Sequence, residues 1–512
     1  MTVDAIAALV TAQKLHLAPQ NRLDELKGVH LLHGSLYADS LFERNGELFL
    51  MIRTDTEKRL LIVGASGEAG PGFSGETGNA NGASWKACPL TADNAAALRA
   101  AFPWTAPVSL HDRRTTFGCG DRLGRATAGH LRALRRYAVA PVLAQQSIRE
   151  LTLTGRTYRN VIDDVSFLVF QCGYTDGFGA DGDHLKTIAD IESALEAGMT
   201  MITLDLSEVM RPQAAAFPDA QIDREFAALA PDAREAADET YADHTFDIGD
   251  GETLVFPRAE ARRCAVMYTA ALDFAKQVYG FLVGKKGAGR FDLEISIDET
   301  TTPTLPSHHL FFIRELHRRN VQIVSLAPRF IGEFQKGIDY IGDLAEFRRQ
   351  FTTHSRIARS HGDYKISVHS GSDKFAIFPI VGAVTGGRFH EKTAGTSWLE
   401  AVRLAALKSP ALYRKMHATA LARLPDALKL YHITPDLESI PDLRGVNDAD
   451  LPALMDQVAA RQVLHVAYGF ILEEAAMKAE LFQLLHREEE SYTALLDRHF
   501  TRHLEGLGIP KK

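Results

Sequence analysis

The chain has 512 residues, of which 46% are hydrophobic and 24% charged, with a net charge of −8. This mildly acidic, globular composition argues against a nucleic-acid partner, which calls for a clustered basic surface. The length fits about three domains, or fewer where one of them is a barrel. Cys88, Cys119, Cys172 and Cys264 are too scattered for a zinc ribbon or a disulfide framework.

The opening MTVDAIAALVTAQKLHL reads as a short helical start, without a basic leader before an unbroken apolar core. No apolar run approaches the roughly 18 residues of a membrane span. A cytoplasmic protein with no membrane partner is therefore expected. Residues 1–107 form a separate α+β region with strands at 47–54 (ELFLMIRT) and 59–65 (RLLIVGA). The glycine-rich stretch 64–84 imitates a dinucleotide fingerprint through Gly64, Gly67 and Gly70. A working fingerprint opens directly into a helix, whereas Pro71, Gly72, Gly75 and Gly78 follow here. A mobile loop is the better reading.

From about residue 108 to 400, eight short apolar strands alternate with amphipathic helical segments: 114–118, 141–146, 179–185, 199–206, 291–298, 321–328, 364–369 and 388–393. Eight strand–helix units are the count that closes a parallel (β/α)8 TIM-type barrel. The long connection after the fourth strand needs a helical insert at about 207–257. Residues 401–512 read as a helical extension that covers the barrel or forms a homo-oligomer contact, with HREEESY (486–492) as a solvated helical face.

A barrel places its catalytic groups at the C-terminal ends of its strands. The third strand ends in FGADGDHLKT (178–187), which concentrates Asp181, Asp183, His184 and Lys186. In the fifth, Leu293, Ile295 and Ile297 face the helices while Asp292, Glu294, Ser296 and Asp298 point inward. The seventh ends in His369, the fourth in Asp205 and the second in Gln145 and Gln146. The sixth runs into RFIGEFQKG, which offers Arg329, Glu333, Gln335 and Lys336. Polar groups thus gather at one end of every strand whose register can be read, which points to an enzyme.

Imidazoles beside carboxylate or amide oxygens suit zinc, manganese or nickel, so His184 and His369 are candidate ligands of a divalent metal cation. His308 or His309 would serve as a third ligand or cap a helix. Glu294, buried in mid-strand, must be paired, with Lys365 as the candidate, or keep its proton as a general acid does. Lys374 and the segment 392–398 suit an anion site, or simply helix capping by Thr396 or Ser397. Arg122 would clamp a carboxylate or make a structural salt bridge. Arg122, Gln146, Lys186, Asp298, Lys336 and Lys374 are the residues expected to hold the substrate.

FGCGDRLG with ATAGH, QQSIRE, DGFGADGDHLKT, the SIDET–TPT turn, LAPRFIGEFQKGIDYIGD, SVHSGSDKF and KTAGTSWLE occur in that order from Phe117 past Trp398. Together they resemble the tagaturonate epimerase family, and HREEESY with RHFTRHL is similar too. The resemblance implies interconversion of D-tagaturonate and D-fructuronate with a divalent cation. It also implies Asp183 as proton acceptor, Glu294 as proton donor, and His184 and His369 as metal ligands, with a third ligand at Glu333 or Gln335. Gly182 departs from the alanine expected there. The inverting carbon is not adjacent to the ketone, so retro-aldol cleavage and re-addition is the expected route. Other readings are a different metal-dependent sugar or sugar-acid isomerase or aldolase, including a ketohexose 4-epimerase, and a non-catalytic sugar-acid-binding protein.

Overall fold

The computed structural model describes residues 35–64, 69–80, 82–300 and 302–512. The expected helical start and Gly67 lie outside them. In the N-terminal sheet, β1 (Ser35–Leu36) and β2 (Phe42–Arg44) pair with β3 (Glu47–Arg53), and β4 (Lys58–Gly64) follows. Phe49, Met51, Leu60 and Ile62 form one apolar face. That face packs on Phe167 and Phe170 of the helix Tyr158–Gln171, which docks the sheet onto the barrel.

The glycine-rich stretch is not simply a loop. Its second half is β5 (Glu76–Ala80), paired antiparallel with β6 (Ala83–Pro89). The missing side chain of Gly78 is what admits the Trp85 ring, since a Cβ there would lie 2.2 Å from it.

The barrel is closed and its strands follow chain order: β7 (Thr116–Gly120), β8 (Ala140–Ser147), β9 (Gly179–Leu185), β10 (Met201–Asp205), then β13 (Asp292–Ile297), β14 (Ser325–Pro328), β15 (Lys365–Val368) and β16 (Phe389–Thr393), which pairs back with β7. Every pair is parallel. The expected (β/α)8 barrel is the fold, with each strand within a few residues of its expected place. Leu293, Ile295 and Ile297 join the core under the helices.

Between β10 and the long helix Arg258–Lys286, the insert holds short helices and also a hairpin of β11 (His244–Gly249) and β12 (Glu252–Phe256). Asp250 and Gly251 at its tip both have positive φ, 54° and 76°. Such turns match the twist of paired strands. Most of the hairpin's side chains are exposed or half-buried, so no apolar alternation marks it in the sequence.

The C-terminal helices cover the barrel mouth. Gln335 accepts from the Thr434 backbone and from Gln462, and Tyr431 and His432 line the cavity below. The run HREEESY is not wholly solvated. Glu489 accepts from Tyr37 at 2.5 Å and from Lys58 at 2.6 Å, and so ties the last helix, Glu489–Gly506, to the N-terminal sheet. Among the described residues no helix is long and apolar enough to cross a membrane.

Candidate active site

Neighbouring strand residues ordinarily face opposite ways, yet Asp183 and His184 both reach the barrel mouth. The β9–β10 register explains this. Met201 pairs with Asp181 and Ile202 with Gly182, but Leu204 then pairs with Leu185. One extra residue is accommodated at Asp183–His184, which makes a bulge that re-aims side chains. His184 itself takes the left-handed backbone, at φ 54°. Gly179 and Gly182 serve packing: a Cβ at Gly179 would sit 3.0 Å from Leu110, and one at Gly182 3.0 Å from Leu185 and 3.1 Å from Ala194.

The centre of the mouth is a buried lysine. Lys392, on β16, donates from Nζ toward Asp181 and Asp183, both at 2.7 Å, and toward Glu294 at 3.0 Å. It also reaches the Thr203 hydroxyl. Lys392 was expected at an anion site after the strand; it is instead an inward residue surrounded by carboxylates. Lys365, the anticipated partner of Glu294, bonds to the Arg113 carbonyl and the Thr116 hydroxyl.

This arrangement sorts the carboxyls by charge. Burial would raise Asp183 and Glu294, but Lys392 and the nearby histidines hold both well below the usual carboxylate range. Asp181 is pushed up to about 6 by burial and by its two acidic neighbours, against the pull of Lys392. Glu294 is therefore ionised in the resting site. The protonated, unpaired carboxyl expected of a general acid is not what the strand holds there.

His369 bridges two carboxylates. Its Nε2 lies 2.6 Å from Glu294 Oε1 and its Nδ1 lies 3.3 Å from Asp298 Oδ2. Burial opposes charge on this ring, but Asp298 and Glu294 outweigh it and raise the imidazole to about 10. The His184 ring stands 4.9 Å from that of His369, with its Nδ1 3.4 Å from Asp205 Oδ2.

His184, Asp298 and His369 each offer a ligand atom, all within 4.8 Å of one another. The buried Nδ1 atoms of both histidines lack a hydrogen-bond partner, as does Asp205 Oδ2. Two imidazoles and a carboxylate, set among further buried carboxylates, fit a divalent cation of the zinc, manganese or nickel type. The Nε2 contact of His369 with Glu294 is the kind of outer bond that orients a ligating imidazole.

The other expected residues divide. Lys336 and Asp298 line a cavity of about 570 Å³ at the mouth, together with His369. Lys186 pairs with Glu208 at 3.2 Å and lies 3.7 Å from Asp205, outside the lining of that cavity. Gln146 is buried with both amide atoms unpartnered. Four residues have other work. Arg122 is buried against Glu150 at 2.9 Å, with its guanidinium 3.7 Å from the centre of the Tyr468 ring, so a structural ion pair replaces the expected clamp. Lys374 caps the carbonyls of Gln335, Ile338 and Ser372 rather than facing a ligand. Gln335 is held by Thr434 and Gln462, and Glu333 is exposed beside His432. The structure therefore groups Asp298, not Glu333 or Gln335, with the two histidines. His309 bonds to His354 and Tyr364, and His308 faces Glu260 away from the mouth.

A family model described as tagaturonate epimerase matches residues 37–507. A tagaturonate/fructuronate epimerase from Thermotoga maritima is 40% identical over 470 residues, covering 92% of this chain and 96% of that protein. The native crystal structure of fructuronate-tagaturonate epimerase from Cohnella laeviribosi is 42% identical, with a TM-score of 0.89 over 96% of this chain and 99% of its own. A two-glycerol complex of the same enzyme gives 43% identity and a TM-score of 0.88, covering 93% and 97%.

Proposed function

The chain belongs to the tagaturonate epimerase family, and on that premise we propose that it interconverts D-tagaturonate and D-fructuronate by retro-aldol cleavage and re-addition. The observation that carries the mechanism is the single ammonium of Lys392 touching both Asp183 and Glu294 beside the two histidines.

His184, Asp298 and His369 would hold the divalent cation, which supplies Lewis-acid stabilisation of negative charge on the substrate's ketone side. Asp183, kept ionised, accepts the proton of the hydroxyl on the inverting carbon. The adjacent carbon–carbon bond then breaks, leaving an aldehyde on one fragment and passing the electron pair to an enediolate on the other. The aldehyde turns, the bond re-forms on its opposite face, and the new alkoxide needs a proton from the other side. Glu294 begins ionised, so it donates only after gaining a proton within the turnover. Lys392 supplies it, giving a proton to Glu294 Oε1 and recovering one from Asp183 Oδ1. Once Glu294 has protonated the alkoxide, Asp183 and Glu294 are again ionised and Lys392 is charged, so the resting site is restored.

A cytoplasmic setting is supported by the four cysteines, all free and mostly buried, as in reducing compartments. Product analysis by NMR tests the function: purified enzyme with its metal should convert tagaturonate into fructuronate. Isomerisation to an aldose acid, or accumulation of three-carbon fragments alone, would overturn it.

A further inference from the structure

The cavity has a cationic wall that the bond-breaking chemistry does not use. Arg149 is the second residue of the helix Ile148–Thr154, directly after β8. Its guanidinium lies 4.7 Å from the centre of the Tyr431 ring, which fixes its plane. Its guanidinium makes a long hydrogen bond, 3.5 Å, to the Leu430 carbonyl, and its buried Nε has no partner. Lys336 donates to Ser370 at 2.5 Å. Among the described residues, neither cation has a carboxylate within ion-pair distance. Arg122 close by is already neutralised by Glu150. The acidic groups facing this wall are Glu299 and Glu333, both exposed, and Asp298, which belongs to His369.

Half-buried cations without counter-ions are costly, and these two also repel. Burial and then Arg149 lower the Lys336 ammonium from its usual value. An anionic ligand removes both penalties. A guanidinium stacked on an aromatic ring presents the planar fork that suits a carboxylate.

Resting on the epimerase reading, the geometry points to Arg149 and Lys336 as the clamp for the substrate's carboxylate. Ser370, which Lys336 holds, directly follows His369, so the clamp lies beside the reacting groups. The carboxylate of a hexuronate sits two carbons from the inverting carbon, on the fragment that becomes the aldehyde. A clamp on that end anchors the fragment while the aldehyde turns over. It would also separate uronates from neutral ketohexoses.

The test uses the metal-loaded enzyme and two competitive inhibitors, D-gluconate and D-glucitol, which differ only in carrying a carboxylate or a hydroxymethyl end. Arg149→Gln and Lys336→Gln are each expected to weaken gluconate by about 10- to 100-fold, the loss of a charge-assisted hydrogen bond, with glucitol nearly unchanged. The KM for tagaturonate should rise in parallel, and Arg149→Lys should recover part of it. Equal losses for both inhibitors, or an unchanged gluconate-to-glucitol ratio in correctly folded variants, would overturn the clamp; the latter is the result expected if the metal held the carboxylate. A wild-type enzyme that discriminates between the inhibitors but does not epimerise tagaturonate would sink the epimerase reading instead.

Discussion

Replacing Lys392 with methionine keeps most of the side-chain length and removes the charge that three buried carboxyls share. Those contacts are 2.7, 2.7 and 3.0 Å, to Asp181, Asp183 and Glu294. Removing one partner of a buried ion pair costs about 3–5 kcal/mol. With an unfolding entropy of roughly 2.1 cal/mol/K per residue, a chain of this length loses about 1 °C per kcal/mol. A drop of about 3–5 °C in Tm at pH 8 is expected by scanning calorimetry. The pH dependence is more diagnostic. In the native protein, Asp183 and Glu294 lie below their unfolded values, near 3.9 and 4.3. Their contribution is therefore constant above about pH 5 and is lost only in acid. Asp181 has the opposite sign: raised to about 6, its cost is present above that pH and relieved below it. Without Lys392, all three carboxyls behave as Asp181 does, so the variant gains stability as pH falls from 8 to 5. The Tm gap to wild type should narrow over that range, while kcat is down at least about 100-fold. A gap that stays constant or widens toward pH 5 would refute the shared-charge account.

Asp183→Asn should reduce kcat by about 10²- to 10⁴-fold, as expected for loss of a general base, while gluconate still binds; near-normal turnover would remove Asp183 from the chemistry. His369→Ala should lose bound metal measured by atomic emission, whereas Glu333→Gln should keep it. The reverse pattern would restore Glu333 as the third ligand. Stripping the native enzyme with a chelator should abolish turnover, and added zinc, manganese or nickel should restore it. Full activity after complete stripping would end the metal-assisted mechanism.

The barrel was legible because most of its strands are short apolar runs between amphipathic helical segments, a pattern that burial on both sides enforces. Site residues were legible where alternation fixed the register, as in β13, whose Glu294 reaches the centre of the mouth. Loops defeated the same logic. Arg122 and Lys374 have the residue types and positions of ligand-binding groups, but Glu150 and three backbone carbonyls consume them. Glu150, Gln335 and Ile338 come from elsewhere in the chain, and nothing local predicts them. Arg149 was missed for the converse reason: one residue before Glu150 in QQSIRE, it gains its role from Tyr431 of the C-terminal extension.

Lys392 was hidden by a more specific ambiguity. The strand Phe389–Thr393 reads FHEKT and carries ionisable groups on both faces. Inward polar residues identify a barrel register only when the other face is apolar. Here His390 and Lys392 take one face, and Glu391 occupies the other, fully buried. Both oxygens of Glu391 lack a hydrogen-bond partner, and burial raises this carboxyl well above its usual value. Its room comes from Gly371, where a Cβ would lie 1.4 Å from Glu391 Oε1. A neutral carboxyl packed against glycine thus mimics, in sequence, a charged inward residue. The strand's direction of function follows from the contacts of Lys392 with β9 and β13, which only the closed barrel brings together.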